Sequence, residues 1–241
     1  MIAPLVAKLG WDAAPTETDP TVEELRERLI ALAGTFGDAA TVAEAQRRFA
    51  AERAGTRHLT ADQQQTVYAI VGRNADEATF AQLLTLANGS DRRVARRAIA
   101  ALVLAGDSGL RQRALDYVVS PKIPAEDAGR RVSWVGASAD VDPAMAWSVF
   151  VANEDLLFAP LDDLTRGFVA QGAIGTYAAA APLETIQTNV AARVPGAAGP
   201  IAAAVQRARD RETIAARVLP PIDAYAKRVA GNAVHPWHDI E

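Results

Sequence analysis

Apolar residues recur along this chain every three or four positions, and short polar turns interrupt the recurrence, a pattern that predicts amphipathic helices joined by tight connections. Leu5, Val6, Leu9 and Trp11 read as the last turns of one helix. Thr21 and Glu24 stand at capping-box spacing, so a second helix is predicted to start there. Its apolar stripe, Val22, Leu25, Leu29, Leu32 and Phe36, is predicted to face a core, and Gly37 to end it. Asp38 caps a third helix that turns Val42, Ala45 and Phe49 inward before Gly55. The two form a helical hairpin.

The hairpin repeats. Thr60 and Gln63 make a capping box ahead of Val67, Ile70 and Val71, and after the turn Phe80, Leu83, Leu84 and Ala87 face inward. Ser90 is predicted to open the next helix, with Val94, Ala98, Ile99 and Leu102 inside, and its partner carries Leu110, Ala114, Tyr117 and Val118. The turns at Asp38, Asp76 and Asp107 are separated by 38 and 31 residues, the period of a two-helix solenoid unit. Prolines organise the second half, where Pro124, Pro143, Pro160, Pro182 and Pro200 each precede an apolar helical pattern. The stripes behind Pro160 and Pro182 are Leu161, Leu164 and Phe168, then Leu183, Ile186, Val190 and Val194. A last helix is predicted around Ile222, Tyr225 and Val229. About twelve helices and no strand follow from this reading. The fold class expected is all-α, a right-handed α-α superhelix of HEAT or armadillo kind, one domain over residues 1–241 with a frayed tail at 231–241.

Composition refines the picture. Half of the 241 residues are hydrophobic, mostly Ala, Leu and Val, which supplies a substantial core and favours helix over strand. No run approaches the roughly 18 apolar residues of a membrane span, and no signal peptide opens the chain, so no membrane partner is expected and a cytoplasmic location is the default. A net charge of −4 argues against a nucleic-acid surface. The absence of cysteine removes disulfides and thiolate ligands.

Candidate chemistry is sparse. His58 falls in a polar turn, and His235 and His238 flank Pro236 in the tail, so no metal site is expected of the three. The zinc-peptidase pattern His-Glu-x-x-His, a nucleophile elbow and a phosphate loop are missing, and the chain by itself is expected to be inactive. Arg92, Arg93, Arg96 and Arg97 gather on one helical face, read as solvated. Arg130, Arg131 and Arg166 are the other prominent cations. Gly167, Gly172 and Gly175 interrupt a helical pattern, which points to close helix approach or to a substrate-facing wall. Trp134 and Trp147 read as core anchors.

The segments LGW at 9–11, LRERLIALAGTFGD at 25–38 and VAEAQRRFA at 42–50 closely resemble the start of the C-terminal helical domain of aminopeptidase N-type zinc metallopeptidases, the puromycin-sensitive and endoplasmic-reticulum aminopeptidases among them. The likeness continues through TVYAIVGRNADEATFAQLL at 66–84, MAWSVFVAN at 145–153 and LPPIDAYAKR at 219–228. Glu154 departs from it, standing where many relatives carry tryptophan. The resemblance implies an excised C-terminal domain whose catalytic domain, with its zinc, lies elsewhere in a longer chain. It implies a curved bowl of helix pairs that covers the zinc cleft, admits peptides and helps to hold them, with that catalytic domain and peptide substrates as its partners and no cofactor of its own. A solenoid's concave face can present spaced polar groups to a peptide, and Arg130, Arg131 and Arg166 are the candidate contacts for a peptide's carboxylate. Two other readings fit bare helical periodicity: a free-standing HEAT-like adaptor, and a HEAT-like DNA glycosylase, against which the net acidity counts.

Overall fold

Aspartate opens most of the helices. Asp19, Asp38, Asp76, Asp91, Asp107, Asp142 and Asp162 each accept a hydrogen bond from a backbone N–H of the first turn they precede. A carboxylate there satisfies donors that the helix leaves unpaired and meets the positive end of its dipole. The computed structural model of the chain describes residues 2–13 and 18–232. Among these residues there are thirteen α-helices, two 3₁₀ turns and no strand, so the all-α class expected from the sequence holds.

The helices belong to two compact units, divided between Leu161 and Asp162. In the first unit, α1 (Ala3–Leu9) precedes three hairpins. These are α2 (Pro20–Thr35) with α3 (Ala39–Arg53), α4 (Ala61–Arg73) with α5 (Glu77–Ala87), and α6 (Arg92–Leu102) with α7 (Ser108–Val119). The first helices of successive hairpins pack on one another, α2 on α4 and α4 on α6. Glycine lets them approach. A Cβ on Gly34 would collide with the Ile70 side chain of α4, and one on Gly72 with the backbone of Ala101 in α6. Gly34 and Gly72 are 38 residues apart, one repeat, so the same close crossing recurs. The unit continues through a 3₁₀ turn (Ala125–Arg130), α8 (Arg131–Ser138), α9 (Pro143–Ala152) and α10 (Glu154–Phe158). Trp134, Val135, Phe150 and Leu157 are buried there, Trp147 stacks on Phe150 with centroids 5.7 Å apart, and Glu154 is buried as well.

The second unit is α11 (Asp163–Thr176), α12 (Leu183–Arg193), a 3₁₀ turn (Pro195–Ala197) and α13 (Ala198–Asn232). Ala173, Ile174, Ile186, Val190, Ile201 and Val205 form its core. The outer part of α13, from Arg209 to Arg228, is exposed along almost its whole length.

Several boundaries and faces differ from the sequence expectation. Helix α2 begins at Pro20 with Asp19 as its cap, because a carboxylate followed by a first-turn proline outcompetes the Thr21 box. Its buried residues are Arg26, Ile30, Ala33 and Gly34, whereas Leu25, Leu32 and Phe36 lie on the surface. The apolar arc of the helix is wider than one stripe, and the part of it that carries Ala33 and Gly34 is buried because α4 approaches closely at Gly34. Asp91, not Ser90, caps α6. Pro124 leads into a 3₁₀ turn before α8, and Asp162 starts α11, leaving Leu164 and Phe168 exposed. The separate last helix is absent: α13 runs unbroken through Pro220 and Pro221. The tail beyond Asn232, with His235 and His238, lies outside the described residues.

Candidate functional site

Helix α6 sets Arg92 and Arg96 one turn apart, and the 3₁₀ turn before α8 brings Asp127 beneath them. Asp127 has no exposed surface. Arg96 donates through Nε to its Oδ1 at 2.6 Å, Arg92 donates to Oδ2, and Arg130 Nε stands 3.6 Å from Oδ1. Burial works to raise the Asp127 carboxyl, but the hydrogen bonds from Arg92 and Arg96 outweigh it and hold the group below the usual carboxylate range. The arginine run is therefore not simply a solvated face. Two of its members lock the next segment down, Arg97 donates to Gln64 Oε1 at 2.7 Å, and Arg93 remains exposed.

Beside this cluster lies a pocket of ≈ 350 Å³. Arg96, Arg97, Arg130 and Asp140 all line it, and Trp134 and Leu104 contribute apolar wall. Arg130, named from the sequence, is thus brought together with the arginine run. Arg131 follows it in the chain but turns inward. Its buried guanidinium donates to the carbonyls of Val118, Ser120 and Ile123 at 3.1, 3.2 and 3.4 Å, tying the end of α7 to the start of α8. Asp127 and Asp140 escaped the sequence reading. The available signal was spacing, since Asp127 follows Arg96 by 31 residues, one solenoid period.

Arg166 belongs to the second unit, where it lines an open groove of ≈ 660 Å³ with Gly167, Phe168, Leu164, Arg193 and Pro195. It stands 3.6 Å from Asp163 Oδ1. Gly167 and Gly172 meet nothing that a Cβ would touch, so neither marks close helix approach, whereas Gly175 faces the Arg211 guanidinium. Leu164 and Phe168, 71% and 63% exposed, give the groove an apolar wall beside its cations.

His58 is exposed. Among the described residues no group of three or more His, Asp and Glu side chains is placed to hold a metal ion, and no helix is long and apolar enough to cross a membrane.

A hairpin array whose successive first helices approach closely at glycines defines the first unit as an all-helical repeat, and the second unit is all-helical as well. The family model of the ERAP1-like C-terminal domain matches residues 1–211. The chain belongs to that family, the C-terminal domains of ERAP1-like aminopeptidases, a domain type that associates with an N-terminal catalytic domain of the same chain.

Proposed function

We propose that this domain is the non-catalytic wall of a zinc aminopeptidase, covering the cleft of the catalytic domain and helping to admit and hold peptides while the zinc and the bond-breaking groups belong to that other domain. The family match over residues 1–211 carries this reading and favours it over a free-standing adaptor. The groove on α11 supports it chemically. An extended peptide offers apolar side chains and a terminal carboxylate, and Leu164 and Phe168 beside Arg166 present the complementary surface. Arg131 acts only by fixing the segment that displays Arg130.

The test compares the parent enzyme with and without residues corresponding to this chain. The isolated chain is expected to leave an aminoacyl fluorogenic amide intact, and its removal from the parent to impair turnover of long peptides far more than of that amide. R166A in the parent is expected to raise KM for peptides with a free C-terminus and not for their C-terminal amides. Turnover by this chain alone, or a parent indifferent to its loss, would overturn the proposal.

A further inference from the structure

The pocket at the α6 and α8 junction carries both signs of charge. Arg96 uses only Nε on Asp127, Arg97 uses one terminal nitrogen on Gln64, and Arg130 reaches Asp127 only at 3.6 Å. Among the described residues the remaining N–H donors of the three make no hydrogen bond, and all three side chains line the same pocket. Asp140 lines it too, yet among the described residues no ion pair joins it to any of these arginines. Opposite charges that share one pocket of ≈ 350 Å³ without pairing directly can be bridged by a ligand that carries both. Ala100 and Ala137 join Leu104 and Trp134 in the apolar part of the lining, and Gln65 adds one neutral amide.

We infer that this pocket binds a free α-amino acid with a small aliphatic side chain, its carboxylate on Arg96, Arg97 and Arg130 and its ammonium group on Asp140. The chemistry selects against neighbours of that ligand. A simple carboxylate satisfies the guanidinium donors but leaves Asp140 without a counter-charge, and a primary amine does the reverse. A peptide C-terminus has no ammonium group beside its carboxylate. The volume of ≈ 350 Å³ lies at the lower end of ligand pockets, which suits a small molecule rather than a chain. Asp127 is the positioning residue, because its ion pairs fix where Arg92 and Arg96 stand. The inference rests on this pocket alone and not on the peptide-handling reading of the α11 groove.

The experiment titrates the purified chain with L-leucine, N-acetyl-L-leucine and L-leucinamide by calorimetry, with the Trp134 indole followed by NMR. L-leucine is expected to bind saturably at one site and to shift that indole. Each blocked form is expected to bind at least about tenfold more weakly, the order that loss of a charge-assisted hydrogen bond produces. D140N and R130A alter exposed side chains and are expected to keep the fold by circular dichroism while weakening L-leucine by at least about tenfold. R28A, on α2 and away from the pocket, serves as the charge-matched control and is expected to bind as the parent does. Absence of saturation at tens of millimolar L-leucine would overturn the inference. So would N-acetyl-L-leucine binding as tightly as L-leucine, which would make this a site for chain ends, or D140N binding unchanged.

Discussion

Arg48 holds Asp12 with both terminal nitrogens, at 2.9 and 2.7 Å, across 36 residues of sequence. The arginine is only 3% exposed, its Nε reaches Glu44 at 2.7 Å, and its guanidinium lies 4.8 Å from the centroid of the Trp11 ring. Arg57 adds a second cation to Asp12 at 2.7 Å. The Trp11-Asp12 pair after Gly10 is therefore the clasp that holds the segment following α1 to α3. D12N is expected to lower the unfolding free energy by about 1–2 kcal/mol, less than for a wholly buried pair because Asp12 itself is half exposed, as measured by urea titration.

Acid should weaken the fold through the same residue. The hydrogen bond from Arg48, with help from Arg57, holds the Asp12 carboxyl far below its ordinary range, and Asp127 is lowered as well. Such groups take up protons more readily in the unfolded chain than in the folded one. Their contribution is complete above the unfolded pKa of about 4 and is lost as the pH falls from there toward the folded value. Stability followed by denaturation is expected to drop below about pH 4, with a shallower slope in D12N.

Removing Asp127 would leave Arg92 and Arg96 facing each other around a buried space. D127A is expected to cost about 3 kcal/mol, and the triple variant with R92M and R96M to recover much of it, since the penalty comes from uncompensated charge. Equal losses in the single and triple variants would point instead to packing.

Glycine substitutions should split by position. G72A drives a methyl into the Ala101 backbone at the α4 and α6 crossing and is expected to cost at least about 2 kcal/mol. G172A sits within α11 facing open space, so it is expected to stabilise by about 0.5–1 kcal/mol through the reduced freedom of the unfolded chain. Thermal melts of the two variants check both signs.

The revised face of α2 is open to the same kind of comparison. Ile30 is 1% exposed and Phe36 75%. I30A is expected to cost about 3 kcal/mol and F36S within about 0.5 kcal/mol, the reverse of what the sequence stripe implies.

Much of the fold was legible because helices announce their ends locally. The capping box of Thr60 and Gln63, the aspartates at 38, 76 and 107, and the repeat period all appear in the structure where the sequence put them. Faces were less legible. Periodicity marks an apolar arc, but which part of it meets a neighbour depends on the crossing, and the close approach at Gly34 turns the side of α2 with Ile30 and Ala33 inward while leaving Leu25, Leu32 and Phe36 outside. The cationic pocket was half legible. Arginine clusters stand out in any sequence, but Asp127 and Asp140 acquire meaning only when the turn between Pro124 and α8 folds back on α6.

One consequence concerns mechanics. Pro220 and Pro221 have no amide hydrogen, so the carbonyls of Ala216 and Arg217 receive no bond from four residues ahead, and two adjacent rungs of α13 are missing from its ladder. The rod formed by the exposed part of that helix is softest at this spot, and a bending load on it concentrates there as at an elbow, sparing the turns anchored on Ile201 and Val205.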